Sequence, residues 1–147
     1  MSGMEALLPD ELKVAIDVFK DANATVNSLW TLYSGAALGI LGYIIGSKEP
    51  VPGRGKLGLA TVFLVFAAAN SRSLWGVQSV AYSAHLAIDR ISAQMIGLSN
   101  INDMLSELKV SPPAYVCSFQ AFLTICVLVA IWAAHRHEAY VRTHPKK

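Results

Sequence analysis

Three long runs without a charged residue constrain this chain more than any other feature of its sequence. They extend from Ala22 to Ser47, from Leu57 to Ser71 and from Val110 to Ala134. A helix of roughly 20 residues crosses a bilayer core of about 30 Å. The first and third runs are long enough, and the second becomes so if its helix continues past Arg72. Because no proline lies between Leu57 and Leu98, we expect that continuation and predict three membrane spans.

The composition favours the bilayer as the solvent of this chain. Of its 147 residues, 54% are hydrophobic and 15% are charged, whereas soluble domains are roughly one-quarter charged. The net charge of +2 is too small to indicate nucleic-acid binding. We therefore expect the lipid bilayer as a partner, self-association or other membrane subunits as further partners, and no nucleic acid.

The distribution of lysine and arginine predicts the orientation in the membrane. Cytoplasmic segments near span ends are enriched in these residues. The loop 47–56 carries three of the twelve basic residues and the tail 136–147 carries four. We therefore predict a cytoplasmic loop and C-terminus, an N-terminus outside, and a multi-pass protein of a cell membrane, either a bacterial inner membrane or a plasma membrane.

Two of the predicted helices continue beyond the membrane with a heptad pattern. Apolar residues at alternating spacings of three and four form one stripe on a helix and indicate a helix–helix seam. The stripe comprises Leu12, Ala15, Phe19, Ala22, Val26, Leu29 and Tyr33 on the first helix, and Leu74, Val77, Ala81, Ala84, Ile88, Ile91, Met95 and Leu98 on the second. We predict helices over 9–46 and 57–98 that pair outside the bilayer as an antiparallel helical stalk.

These segments make one all-α integral membrane domain, residues 1–147. We assign 99–112 to a connector, 113–135 to the third span and 136–147 to a basic tail. The tail residues expected to contact anionic lipid headgroups are Arg136, Arg142, Lys146 and Lys147. Trp75, Val80, Tyr82 and Leu86 lie off the stripe of the second helix, so we expect lipid headgroups or another subunit to cover them.

Small residues form a ridge along the first span. Its glycines are Gly35, Gly39, Gly42 and Gly46. Such spacing lets two helices approach closely in lipid, where the hydrophobic effect does not drive association. Two interpretations stay open, and we favour packing against another span of the same chain over a seam between copies.

Four consecutive polar residues interrupt the second helix. They are Asn70, Ser71, Arg72 and Ser73, and residues at a similar height on the first helix, Asn23, Asn27 and Ser28, are candidate hydrogen-bond partners. Polar groups at this depth normally face protein or a water-filled cavity. In an oligomer they could surround a pore mouth, with Arg72 disfavouring cations. In the alternative interpretation Arg72 reaches the interface and the serines bond backbone carbonyls.

The sequence shows no pattern typical of an enzyme. His85 and Asp89 stand one helical turn apart without a further ligand nearby, and we interpret them as a solvated helix face. His135 and His137 project in different directions on a helix, which favours an interfacial belt over a metal site. We expect no catalytic residue, no metal and no cofactor.

Two function classes fit these features. The first is a small oligomeric membrane channel or pore-forming protein, and the alternative is a structural or accessory subunit of a larger membrane complex. A membrane enzyme is disfavoured because the cores of the spans hold no ionisable residue. The three-span plan with an outside N-terminus and a basic cytoplasmic tail resembles that of some phage holins, and the resemblance is one of topology alone.

Overall fold

The computed structural model describes residues 10–47, 51–93 and 110–143, with side chains described as far as Ala133. These residues form three helices: α1 (Asp10–Gly46), α2 (Gly53–Ala93) and α3 (Pro113–Thr143). Within the described ranges there is no strand, which confirms the all-α class. Most of the predicted connector, and the stripe residues Met95 and Leu98, lie outside the described residues.

Helix α1 follows the predicted bounds closely. Asp10 and Glu11 occupy its first turn, where carboxylates interact favourably with the positive end of the helix dipole. At the other end the backbone N–H of Ser47 donates to the carbonyl of Tyr43 at 3.0 Å, and the Ser47 hydroxyl donates to the same oxygen at 2.6 Å. The 37 residues give a helix of about 55 Å at 1.5 Å per residue.

Helix α2 begins at Gly53, four residues earlier than the predicted start at Leu57. The N–H of Lys56 donates to the carbonyl of Pro52 at 3.0 Å, which closes the first turn. A proline tolerates this place because a helix N-terminus leaves its first N–H groups unbonded in any case. The glycines at 53 and 55 therefore belong to a helical turn. Lys56, assigned to the polar loop by the sequence pattern, is only 3% exposed.

Helix α3 begins as predicted but extends further. The carbonyl of Pro112 accepts bonds from the N–H groups of Tyr115 at 3.0 Å and Val116 at 3.4 Å. The helix ends at Thr143, whereas the predicted span ended at 135. Neither proline nor glycine occurs between Ala114 and Thr143, so nothing in the local sequence stops the helix there. The first part of the predicted basic tail is consequently helical.

All three helices are long and apolar enough to cross a membrane, as predicted. Inside the chain's own packing, only 11% of the most apolar stretch of α1, 28% of that of α2 and 22% of that of α3 is buried. Most of the apolar side chains of these stretches therefore point outward. A surface of this kind is stable in an apolar environment and would be an association surface in water.

The chain divides into two compact units, and the long helices α1 and α2 contribute to both. The first unit contains Met1–Ser28 and Leu74–Val116. Its buried apolar side chains belong to the predicted heptad stripes: Leu12, Ala22 and Val26 on α1 and Leu74, Ala81, Ala84 and Ile88 on α2. The stripe residues therefore form the core of this unit, because they are the apolar side chains that recur on one side of each helix.

The second unit contains Leu29–Ser73 and Cys117–Lys147. Its core consists of Tyr33, Ala37, Ala60, Phe63, Ala67, Val127 and Ile131, with contributions from all three helices. Aromatic rings surround Tyr33: the ring centroid of Phe63 is 5.9 Å away and that of Trp30 is 6.0 Å away in an edge-on arrangement. Tyr33 is thus a central residue of this unit.

Candidate functional site

Polar groups meet inside the second unit around the hydroxyl of Tyr33. This oxygen lies 2.9 Å from Oγ1 of Thr124. The Thr124 hydroxyl also donates to the backbone carbonyl of Gln120 at 2.9 Å. The Tyr33 hydroxyl is also 3.5 Å from the same carbonyl oxygen, and either hydroxyl can be the donor of the bond between Tyr33 and Thr124. Both side chains are more than nine-tenths buried.

Two buried carboxamides of the second unit have no hydrogen-bond partner among the described residues. Gln120 is 1% exposed and Asn70 is 5% exposed. Both amide atoms of each side chain are buried and have no hydrogen-bond partner among the described residues. Leaving a buried donor or acceptor unsatisfied costs about 1–3 kcal/mol per group, and native proteins rarely tolerate it. These amides are the strongest indication of a functional site in the described part of the chain.

The two carboxamides come from neighbouring turns of α2 and α3. Cys117, one turn before Gln120 on α3, directs its thiol toward the carbonyl of Ser71 at 3.8 Å. Ser71 directly follows Asn70 on α2. The two helices therefore contact each other at the level of Asn70 and Gln120.

A groove of about 270 Å³ adjoins this level of the unit. Its polar lining residues are Ser71, Gln120 and Thr124, and its apolar lining residues are Leu64, Ala67, Ala68, Ala121, Ile125 and Leu128. None of these lining residues carries a charge. The site can therefore offer hydrogen bonds from neutral groups and apolar contact, and it offers no ionisable group for acid–base chemistry.

The four residues of the predicted polar cluster divide between the buried side and the exposed side of α2. Asn70 is buried and Ser71 is half-buried, whereas Arg72 and Ser73 are exposed. Successive helical residues point about 100° apart, so four consecutive side chains cannot share one face. The structure keeps the first two at the groove level and directs the other two outward.

The residues expected to partner this cluster from α1 are exposed as well. Asn23, Asn27 and Ser28 all lie on the helix surface, and the Ser28 hydroxyl donates to the carbonyl of Ala24 at 3.0 Å. The Asn70 amide has no hydrogen-bond partner in the described ranges, and the expected bonds from these three residues to the cluster stay a prediction.

The glycine ridge is open. Gly35, Gly39, Gly42 and Gly46 are exposed, and a Cβ atom built on any of them would meet nothing within 4 Å. The favoured interpretation, in which these glycines pack against another span of the same chain, is wrong for the described residues. Helix α1 packs into the unit through Tyr33 and Ala37 instead.

Sequence reasoning missed Gln120 and Thr124. A usable signal existed, because Gln120 is the one carboxamide in the run from Val110 to Ala134 and Thr124 follows it by one helical turn. Neutral amides are as unable as ionisable groups to find partners in hydrocarbon, so they give the same kind of signal.

The first unit holds the predicted pair His85 and Asp89. Their side chains approach to 3.5 Å, and they differ in exposure, at 14% for His85 and 46% for Asp89. The His85 ring lies 6.3 Å from that of Phe19. The solvated-face interpretation therefore suits Asp89, while His85 is largely covered because it adjoins the apolar stripe.

The residues off the stripe of α2 remain at the surface of the first unit. Trp75, Val80 and Leu86 are each about half exposed, and Tyr82 is half-buried. In contrast to the amides of the second unit, the Gln78 amide of this unit is paired and donates to the carbonyl of Ser111 at 2.8 Å. This unit thus presents apolar surface together with a buried amide that has a protein partner.

The predicted headgroup contacts involve the end of the chain. Arg136 and Arg142 belong to helix α3, beyond the side chains that the structure describes, and Lys146 and Lys147 lie outside the described residues.

No protein-family model, no curated protein and no solved structure matches this chain. The candidate site is therefore interpreted from its own residues.

Proposed function

We propose that this protein is an integral membrane protein whose copies assemble into a small channel or pore without catalytic activity. The observation that carries the proposal is the pair of buried carboxamides of Asn70 and Gln120 in the second unit, which have no hydrogen-bond partner among the described residues. Polar groups within membrane spans are costly, and they commonly mark a path for water or solute. A channel gives these amides a role that packing alone does not.

Membrane insertion is supported by the outward-facing apolar surface. Large apolar side chains such as Leu38, Ile45, Val62 and Val129 are each at least 60% exposed. Lipid would cover them, and the basic residues near the span ends would place the loop and the C-terminus in the cytoplasm and the N-terminus outside. The predicted antiparallel stalk outside the bilayer is supported by the contact between Phe19 of α1 and His85 of α2.

Self-association is supported by the open glycine face of α1. Glycines spaced by three and four residues allow close helix approach, and no described atom of the same chain lies within 4 Å of the Cβ positions. A neighbouring helix could therefore approach without displacing any side chain of this chain. Exposed Arg72 would disfavour cations near the carboxamides.

Purified protein in liposomes tests the channel proposal. We expect a native mass of several copies in mild detergent and a solute leak from liposomes. Asn70→Leu and Gln120→Leu should reduce the leak, because each removes a hydrogen-bonding group from the path. Gln78→Leu, a change of the same kind in the first unit, should leave the leak close to that of the unaltered protein. A monodisperse monomer without leak would contradict the proposal.

An accessory subunit of a larger membrane complex is the second candidate. It is favoured by the exposed apolar side chains of Trp75, Val80 and Leu86, which a partner protein could cover. This function predicts stoichiometric co-purification with proteins of unlike sequence and no leak from liposomes. Loss of those partners on Trp75→Ser, with the helical content unchanged, would identify the surface.

A further inference from the structure

The Asn70 and Gln120 amides are buried and find no hydrogen-bond partner among the described residues. Each carboxamide contains two donor hydrogens and an acceptor oxygen. Around Gln120 the nearest hydroxyls are already engaged, since Tyr33 and Thr124 bond each other and Thr124 donates to the Gln120 carbonyl. The other groove residues are mainly alanine, leucine and isoleucine. A small polar molecule is therefore the partner that the chemistry calls for.

The groove beside Gln120 is large enough for such a molecule. It measures about 270 Å³, whereas roughly 10–15 Å³ of space on the same measure is enough to hold one water. Three alanines among its lining residues keep it open. The Gln120 side chain has three rotatable bonds, so its amide can turn toward the groove without movement of the backbone. Lipid acyl chains can fill the same volume, but they cannot hydrogen-bond an amide.

The uncharged lining of the groove favours neutral polar molecules over ions. Ser71, Gln120 and Thr124 provide its polar groups, and no lining residue is charged. A bare ion would lack a compensating charge there, while water can bond two to four polar partners. The groove therefore fits water better than it fits an ion or a charged headgroup.

We propose that water enters the groove between α2 and α3 and hydrates the Gln120 carboxamide, making a hydrated crevice within each single subunit. This inference rests on the proposed membrane location and deepens the channel proposal. It places the water path along the α2–α3 groove of a subunit and not along the glycine face of α1.

Cysteine accessibility tests the crevice directly. In a chain carrying Cys117→Ser and Cys126→Ser, single cysteines are introduced as Ala68→Cys and Ala121→Cys in the groove and as Phe122→Cys outside it. Phe122 is adjacent in sequence and 60% exposed, but it does not line the groove. The full-length protein in liposomes is treated with a charged, membrane-impermeant methanethiosulfonate.

The groove cysteines should react about tenfold faster than Phe122→Cys, because the thiolate that attacks the reagent forms only where water is present. Adding Gln120→Leu should slow the reaction of Ala121→Cys by a similar factor, and adding Gln78→Leu should not. If the leucine variant folds poorly, Gln120→Met replaces it with an unbranched side chain of nearly equal length.

Two results would overturn the inference. Equal reaction rates at all three positions would show that lipid or another helix fills the groove, and an unchanged rate with Gln120→Leu or Gln120→Met would show that the amide does not hold the water. The experiments distinguish failure of the crevice inference from failure of the channel proposal. Reactive groove cysteines without a solute leak would contradict only the channel proposal. A solute leak with unreactive groove cysteines would contradict only the crevice inference.

Discussion

The hydroxyl of Tyr33 lies 2.9 Å from the hydroxyl of Thr124 and joins α1 to α3 inside the second unit. The two residues are 91 positions apart in the chain, and Tyr33 also belongs to the apolar core of that unit. One side chain thus contributes both an aromatic ring to the core and a hydroxyl to the polar network beside Gln120. A substitution that removes the hydroxyl and keeps the ring therefore separates the contribution of the hydrogen bond from that of the packing.

Tyr33→Phe removes the hydroxyl and keeps the ring. Thr124 retains its bond to the Gln120 carbonyl, while the variant loses the 2.9 Å bond to the Thr124 hydroxyl and the longer 3.5 Å contact with the Gln120 carbonyl. We expect the free energy of unfolding to fall by about 0.5–1.5 kcal/mol, measured by denaturant titration in detergent micelles. Tyr43→Phe is the matched control, since Tyr43 is 60% exposed. Equal losses in the two variants would contradict the assigned bond.

Gln78 and Gln120 should respond in opposite directions to the same substitution. Gln78→Leu breaks the 2.8 Å bond to the Ser111 carbonyl and should lower the free energy of unfolding by about 1 kcal/mol. Gln120→Leu removes an amide that has no protein partner in the described ranges, so it should be neutral or stabilising. Thermal unfolding of both variants, compared by Tm, checks the sign. A larger loss with Gln120→Leu would mean that its amide is paired in the folded protein.

Gly39→Leu should disturb assembly and spare the fold. No described atom lies within 4 Å of the Cβ position at Gly39, and leucine favours a helix over glycine by up to about 1 kcal/mol. The helical content should stay the same while the native mass falls. Gly58→Leu on α2 is the control, because its Cβ position is equally open and it lies outside the glycine ridge. A fall in mass with both variants would point to a general effect of added bulk.

Phe63→Ala tests the packing of the second unit. Phe63 is 1% exposed and contacts the Tyr33 ring, so its truncation should cost about 3–5 kcal/mol of folding free energy. Val62→Ala changes the preceding residue, which is 68% exposed, and should have a far smaller effect. Chemical denaturation with tryptophan fluorescence can follow both variants. Similar destabilisation by the two would show that the described core is not the one that holds the helices together.

The boundaries show where local sequence rules succeed. The predicted start of helix α1 differs from the observed start by one residue, and the predicted and observed ends coincide. Acidic residues mark the start, and glycine, lysine and proline follow one another closely at the end. Both are local signals that a sequence shows directly. The start of α2 was placed four residues late. Gly53 and Gly55 resemble loop residues, although the carbonyl of Pro52 already opens the first turn.

The sequence by itself determined the three apolar helices and the stripes of the first unit, because apolar periodicity is a property of neighbouring residues. It could not determine which polar side chains meet. Asn70 is buried and Arg72 is exposed because α2 turns about 200° between them, and the rotation of the whole helix decides which of the two faces inward. The tertiary structure likewise brings Gln120 beside Tyr33 and leaves the glycine face of α1 open. Each α-helix has several apolar sides in this chain, and only packing against the other two helices selects the one that is buried.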